Sequence, residues 1–223
     1  EKVLVEIKEL ENHHGTLMLL TPNPSTDIVR IKDIFSRSPN LKFLSWAARS
    51  IAFIECHDHK YDSILSKVKR GNKARIKSNT ETFELIKNYD STFFTIYNML
   101  AGKKNFKEAY VFSPDVFRKL PLRPDIVFRG IKLESRLIAG AFYRIINFNL
   151  CPRLDYLFCA KLDGFSSKWT AKLLWEGVNI CKNLNLSRYN LGGGVTENDT
   201  LWNFKMSFGA KKHHFLRLKY KKA

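Results

Sequence analysis

The sequence is poor in acidic residues and contains no long apolar run. Its 223 residues include 21 Asp and Glu against 38 Lys and Arg, which gives a formal net charge of +17. No stretch approaches the roughly 20 consecutive apolar residues that a membrane-spanning helix needs, and the start Glu1-Lys2-Val3-Leu4 alternates like a strand, unlike a signal peptide. We therefore expect a cytoplasmic protein that binds polyanions, and peripheral contact with the inner face of a membrane stays open.

Cysteine is also scarce. Cys56, Cys151, Cys159 and Cys181 are widely spaced without a Cys-x-x-Cys pair, so we expect free thiols in a reducing compartment. The run Cys56-His57-Asp58-His59 holds possible metal ligands, but no second cluster completes a tetrahedral set, and we expect no metal. The nucleophile-elbow motif Gly-x-Ser-x-Gly and the P-loop motif are both absent, which argues against hydrolases and nucleotidases of those types.

The apolar periodicity predicts an α/β (α+β) fold with a mixed sheet flanked by helices. The predicted strands cover residues 3–7, 16–20, 47–55, 126–133, 137–146, 154–162, 189–191 and 215–220. The predicted helices cover residues 28–36, 61–79, 82–99, 114–120, 167–183 and 200–208. Trp169, Trp175 and Trp202 are expected in the core and not on a surface that stacks with bases.

One predicted helix is strongly basic. Between Lys60 and Lys77 there are seven basic residues against one acidic residue. Lysines four residues apart repel each other on an isolated helix, a cost that an opposing anion removes. Arg70, Lys73 and Arg75 are therefore candidate contacts for a polyanion, with a solvated basic face as an equally weighted alternative.

Two further segments have the character of a binding site. Three glycines at 192–194 follow a predicted strand, where they allow a sharp turn and the close approach of a ligand. Further on, Lys205 lies between Phe204 and Phe208, which are expected to face the core, so its cation either reaches water or is fixed at a site. The passage 162–168 leads into a predicted helix, whose N-terminus suits a phosphate or an oxyanion.

These segments together resemble the FemABX and BioF2-like acyltransferase group of the GNAT superfamily. The spacing of strand, Gly-Gly-Gly, short loop and Asp-x-Leu-Trp-x-Phe-Lys-x-x-Phe-Gly, which ends at Gly209, resembles the C-terminal signature of that group. The segment from Lys67 to Lys77 resembles its basic helix, and Lys172-Leu173-Leu174-Trp175-Glu176 resembles its central helix. The resemblance covers residues 47–220.

The resemblance implies a GNAT-like fold in which a splayed mixed sheet holds the acyl donor. FemABX members take an aminoacyl group from charged tRNA and add it to an amine on a peptidoglycan precursor, and other relatives acylate sugars or peptides. The catalytic positions carry over to Lys205 and Phe204, with the lysine stabilising the carbonyl oxyanion. Residues expected to contact substrate or donor are Arg70, Lys73, Arg75, Gly192, Gly193, Gly194 and Asp199. No cofactor is expected beyond the donor itself, which is aminoacyl-tRNA or acyl-CoA.

The sequence departs from the family pattern in two ways. The GNAT pyrophosphate loop, Arg/Gln-x-x-Gly-x-Gly/Ala, is missing, since residues 163–168 hold a single glycine, and this favours charged tRNA as the donor. Complete FemABX members carry two GNAT-like halves, whereas residues 1–44 hold too few elements to close a domain. We interpret residues 1–44 as the remnant of a reduced or truncated N-terminal half and residues 45–223 as the acyltransferase domain.

We expect an enzyme that moves an activated acyl or aminoacyl group onto an amine of a cell-envelope precursor, either a peptidoglycan peptide or a sugar. The acceptor can be lipid-linked, and no residue is assigned as the general base. One alternative is an acyl-CoA-dependent N-acetyltransferase that acts on a nucleotide sugar. Another is a non-catalytic RNA-binding or lipid-binding module on the same fold, which the basic segments 60–77 and 205–222 support equally well.

Overall fold

The computed structural model describes residues 15–21, 28–29, 31–33, 36–37, 41–56, 61–78, 81–147, 152–194 and 199–222. Its strands are β1 (Gly15–Thr21), β2 (Leu41–Glu55), β3 (Glu84–Ile86), β4 (Ile126–Leu133), β5 (Arg136–Ile146), β6 (Arg153–Lys161), β7 (Arg188–Gly192) and β8 (Lys211–Lys222). Its helices are α1 (Tyr61–Lys67), α2 (Arg70–Lys77), α3 (Thr92–Lys103), α4 (Pro114–Lys119), α5 (Lys168–Asn183) and α6 (Thr200–Met206). Two short 3₁₀ helices span Glu108–Tyr110 and Leu120–Leu122.

The strands form one 8-stranded sheet in the order β1-β8-β2-β7-β6-β5-β4-β3. Strands β6 and β7 are parallel, and every other described pair is antiparallel. The crossover from β6 to its parallel neighbour β7 is α5, as parallel neighbours require. This is the mixed α/β sheet that the sequence predicts.

The sheet is covered by helices on both faces. On one face, α1, α5 and α6 pack on a core that includes Ile131 of β4 and Tyr143 of β5. On the other face, α3 and α4 pack on an aromatic core that includes Phe128 of β4 and Phe142 of β5. Neighbouring residues of one strand thus supply opposite cores, as the period-2 alternation of a strand requires.

Most sequence predictions are confirmed, and two helices differ. The β4–β5 hairpin turns at Glu134 and Ser135, both with positive φ, and Trp169, Trp175 and Trp202 are buried. Residues 28–29, 31–33 and 36 are helical, as predicted. The predicted strand 3–7, Cys151 and the segment 57–60 lie outside the described residues.

The single helix predicted over residues 61–79 was wrong. The chain leaves the helix at Val68 and Lys69, because the Lys69 backbone N–H donates to the Ser207 carbonyl oxygen (2.8 Å) at the end of α6. The helix predicted over residues 82–99 was wrong in its first half. Residues 84–86 pair with β4 as an edge strand, and α3 begins only where the Asp90 carboxylate accepts hydrogen bonds from the Thr92 backbone N–H (3.0 Å) and hydroxyl (2.7 Å).

Residues 15–21 and 41–44 lie in the same sheet as the rest of the chain. That residues 1–44 are the remnant of a second half remains a prediction. Within the described residues, no helix is long and apolar enough to cross a membrane.

Candidate active site

The two parallel strands separate soon after they begin. β6 and β7 pair only from Arg153 opposite Arg188 to Asp155 opposite Asn190, although β6 continues to Lys161. Two residues beyond the last pair, β6 carries a bulge at Leu157, which has no partner on β5 in the ladder. A bulge bends its strand and increases the local twist. The sheet therefore opens between β6 and β7, and the resemblance implies a splayed sheet of this kind without saying which strands separate.

A glycine turn ends β7 at the mouth of this opening. Gly192 has φ +73°, a left-handed conformation that glycine adopts without steric cost. The Asn190 side chain fixes the turn: its Oδ1 accepts from the Gly192 N–H (2.8 Å), and its Nδ2 donates to Asp155 Oδ1 on β6 (3.0 Å). A Cβ on Gly193 would lie 2.9 Å from the Ser50 carbonyl oxygen on β2, so only glycine fits there without a backbone shift.

Helix α6 brings Lys205 to the opening. The Lys205 Nζ donates to the Gly193 carbonyl oxygen (2.8 Å) after β7 and lies 5.8 Å from the centroid of the Tyr156 ring on β6. The lysine side chain is thus between the two parallel strands, and only 6% of the residue is exposed. Trp202, on the same helix, is buried and anchors it to the core.

The surroundings of Lys205 exclude water, and no described carboxylate forms an ion pair with its ammonium. Burial lowers the pKa of Lys205 from 10.5 to about 8, and the negative charge of Asp199 opposes this decrease. Burial raises the pKa of the Tyr156 phenol well above its usual range, so its ring faces the lysine as a neutral phenol. Among the described residues, no carboxylate lies at ion-pair distance from Lys205 Nζ.

This arrangement leaves the ammonium able to bind a further oxygen. An ammonium group has three N–H donors, and among the described residues the Gly193 carbonyl oxygen is the only hydrogen-bond acceptor for Lys205. A positive charge in a dry site interacts with a negative oxygen more strongly than it would in water. Its chemistry suits stabilisation of an oxyanion.

The structure brings together Lys205 and the three glycines of the predicted site. Asp199 acts first as the N-cap of α6, since its carboxylate accepts from the Trp202 N–H (2.6 Å). Phe204 is half-buried and meets Phe208 edge-on, with ring centroids 5.2 Å apart. Gly194 directly follows the Gly193 contact and is half-buried.

The basic residues of α2 lie outside the opening but are joined to α6. Arg70 and Arg75 are exposed, and the half-buried Lys73 donates to the Ser66 carbonyl oxygen (2.8 Å). The buried Asn72 donates to Ser207 Oγ (2.5 Å), two residues after Lys205, and accepts from the Arg75 guanidinium (2.8 Å). The basic face of α2 is therefore fixed next to the end of the helix that carries the buried lysine.

Sequence reasoning missed Tyr156 and Asn190 as parts of the site. Tyr156 is one of several aromatic residues in the predicted strands, and nothing in its local pattern distinguishes it. Asn190 does carry a usable signal, because asparagine favours turns and stands two residues before the first glycine. The Cys56–His59 run is only partly described; among the described residues, no group of three His, Cys, Asp or Glu side chains is placed to hold a metal ion.

Comparisons with known proteins establish the fold. No protein-family model matches the sequence, and no curated protein matches it. The structure is similar to the crystal structure of FemX, with a TM-score of 0.69 and 12% sequence identity over 96% of this chain and 75% of that chain. It is also similar to the structure of L-PGS from Bacillus licheniformis, with a TM-score of 0.56 and 10% identity over 98% of this chain and 71% of that chain.

A third similar structure is the C-terminal domain (DUF2156) of a putative lysylphosphatidylglycerol synthetase from Agrobacterium fabrum. Its TM-score is 0.53 at 12% identity, over 97% of this chain and 71% of that chain. Identities this low show the shared fold alone. The chain therefore has a FemX-like fold, which confirms the architecture that the resemblance in the sequence implies.

Proposed function

We propose that this protein transfers an activated acyl or aminoacyl group to an amine, and that the Lys205 ammonium stabilises the oxyanion formed on the way. The observation that carries the proposal is the position of Lys205 Nζ. It lies between two parallel strands that separate after three paired positions, where it is buried and contacts Gly193 and Tyr156.

The chemistry fits a buried cation. The acceptor nitrogen attacks the carbonyl carbon of an ester or thioester, a C–N bond forms, and the carbonyl oxygen becomes an oxyanion. The intermediate then collapses, the bond from carbon to the leaving oxygen or sulfur breaks, and this leaving atom takes up the proton that the amine loses. A preorganised donor at such an oxyanion contributes about a hundredfold to a thousandfold in rate. Lys205 still has N–H donors for this oxygen among the described contacts.

The donor that the surface suits best is an aminoacyl-tRNA. The exposed Arg70 and Arg75 present positive charge beside α6, where a phosphate backbone would release counterions on binding. In addition, the turn before α5 does not supply the glycine-rich pyrophosphate loop of acyl-CoA enzymes. Lys161, the last residue of β6, donates to the Phe165 carbonyl oxygen in this turn (2.7 Å). An acyl-CoA donor is the competing outcome of the test below.

For the acceptor, we propose an amine of a cell-envelope precursor, a peptidoglycan peptide or a sugar. This rests on the FemABX-type signature that includes Phe204 and Lys205 and on the FemX-like fold. Gly192 to Gly194 provide a stretch of backbone without side chains next to Lys205, and an acceptor can approach the acyl carbon along it.

The test is transfer of a radiolabelled acyl group from two donors, a charged tRNA and a CoA thioester, to peptidoglycan-precursor and amino-sugar acceptors. Lys205→Ala is expected to lose at least about a hundredfold in rate, as expected for one lost oxyanion donor, with an unchanged circular dichroism spectrum. The matched control is Lys87→Met, an exposed lysine before α3, which is expected to transfer normally. Near-normal turnover by Lys205→Ala would remove this lysine from the mechanism, and absence of transfer with every donor would favour a non-catalytic binding module.

A further inference from the structure

Exposed apolar and cationic residues are concentrated in one helical layer on the face of the sheet opposite Lys205. This layer is residues 99–123, formed by the end of α3, α4 and the two 3₁₀ helices. Five of the eleven large apolar residues that are exposed in the described structure fall in this stretch: Met99, Tyr110, Val111, Val116 and Leu122. Leu122 has an exposed fraction of 82%, the highest of the eleven. Large exposed apolar residues concentrated in one layer mark interaction sites more often than isolated ones do.

The layer is one packed unit. The Tyr97 hydroxyl on α3 donates to the Tyr110 carbonyl oxygen (2.8 Å). The rings of Phe94 on α3 and Phe117 on α4 are 5.3 Å apart. These inward contacts fix the backbone of residues 110–117 against α3, so the exposed side chains of the stretch are held on the outside of a rigid support.

The same stretch is rich in cations. Residues 99–123 contain six Lys and Arg against two Asp and Glu. Lys103, Arg118 and Arg123 have carboxylate partners on the surface. Lys104, Lys107 and Lys119 are exposed and have no ion-pair partner in the described part of the chain. We name these three lysines and the five exposed apolar residues the basic–apolar surface.

We propose that the basic–apolar surface binds the surface of an anionic phospholipid bilayer. Aliphatic side chains insert at the boundary between headgroups and acyl chains, while lysines meet the lipid phosphates. A second copy of this chain is disfavoured, because it would bring together two like-charged surfaces of a protein with a net charge of +17. RNA is disfavoured because four of the five exposed apolar residues lack an aromatic ring on which a base could stack.

The surface is separate from the proposed active site. The α3–α4 layer packs on the aromatic core, whereas Trp202 and Phe208 of the α6 region pack on the core of the other face. Substitutions in the basic–apolar surface are therefore expected to leave Lys205 and its contacts in place. Membrane binding is measured without acyl transfer, so a failure of this proposal and a failure of the transferase proposal can be told apart.

The test is flotation of the protein with vesicles of phosphatidylglycerol and phosphatidylcholine in equal parts, compared with pure phosphatidylcholine vesicles. We expect binding to the anionic vesicles that weakens with salt. Leu122→Glu is expected to weaken it at least about tenfold, since it removes an inserting side chain and adds a repelled charge. Lys104→Gln with Lys107→Gln is expected to weaken it as well, by roughly fivefold for each lysine.

Leu184→Glu is the matched control, because Leu184 is 48% exposed at the C-terminal end of α5, on the other face of the sheet. It is expected to bind vesicles as the unsubstituted protein does, and thermal melts of all variants check folding. Equal losses in Leu122→Glu and Leu184→Glu would overturn the proposal. So would a loss in neither variant, a change of Leu122→Glu only in oligomeric state by light scattering, or a loss of tRNA binding with vesicle binding intact.

Discussion

Replacing Lys205 with methionine should make the protein more stable while it abolishes transfer. Methionine retains the length of the side chain and removes the charge. The pKa of Lys205 is about 8 in the folded protein and 10.5 in its ordinary state. At about 1.4 kcal/mol for each unit by which the two pKa values differ, keeping the buried lysine protonated costs the folded state about 3 kcal/mol at neutral pH.

Part of this gain is lost again in the variant. The Gly193 carbonyl oxygen, which accepts from Lys205 Nζ at 2.8 Å, loses its partner, a loss of about 1 kcal/mol. We therefore expect the free energy of unfolding of Lys205→Met to exceed that of the unsubstituted protein by about 2 kcal/mol at pH 7.

The pH dependence has a definite sign. Between about pH 8 and 10.5 the unfolded chain holds the Lys205 proton and the folded chain does not, so the stability of the unsubstituted protein rises with pH. The advantage of Lys205→Met should therefore be complete below pH 8 and shrink above it. Urea unfolding of both proteins at a series of pH values measures this difference, with Lys87→Met as the control. A lower stability of Lys205→Met at pH 7, or a stability difference that does not change with pH, would contradict this cost of burying the charge.

Three further outcomes follow from the same geometry. The rate of transfer should fall as pH rises through about 8, because Lys205 then loses its proton. Lys205→Arg should lack this alkaline loss in a pH–rate profile. The same alkaline loss in both proteins would contradict the role of Lys205 as the cation. Gly193→Ala should lower the free energy of unfolding by about 1–3 kcal/mol, because the new Cβ would lie 2.9 Å from a backbone oxygen of β2. It should also slow transfer. Normal stability together with normal transfer would contradict the close packing of this turn against β2. Asn72→Ala removes the buried hydrogen bond to Ser207 (2.5 Å) and should lower the free energy of unfolding in urea by about 1–3 kcal/mol. The matched control Asn98→Ala, at an exposed position, should leave it unchanged. Equal effects of the two substitutions would contradict the link between α2 and α6.

Local patterns predict the elements whose partners are close in sequence. The β4–β5 hairpin can be predicted because two largely apolar, strand-like runs flank Glu134 and Ser135, which turn with positive φ. Helix α5 is readable because its apolar residues recur at helical spacing and are buried, among them Leu173, Leu174 and Val178. In both, propensity and tertiary environment agree.

The two wrong helix predictions depend on distant residues. Residues 84–86 have apolar spacing compatible with a helix, but the edge of the sheet at β4 is available to them and they pair with it. The break at Val68 and Lys69 follows from contact with Ser207, more than a hundred residues away in the chain. No window of local sequence contains that information, because tertiary contacts override propensity.

The candidate site likewise contains some residues that local sequence predicts and others that depend on tertiary structure. Lys205 and the glycines at 192–194 are found from the sequence, because their spacing is unusual and resembles a known signature. Tyr156 and the opening between β6 and β7 are not, since they depend on where the parallel pairing stops and where β6 bulges at Leu157. The low pKa of Lys205 likewise arises from burial by several elements and has no signature of its own.

The most direct measurement is an NMR titration of the Lys205 side chain. Lysine carrying ¹³C at Cε is incorporated, and the Lys205 signal is assigned by its absence in Lys205→Met. We expect a midpoint of about 8 for Lys205 and a higher midpoint when a carboxylate-bearing or oxyanion-like donor analogue is bound. A midpoint at the ordinary lysine value of 10.5 would place the ammonium in water and contradict the proposed role.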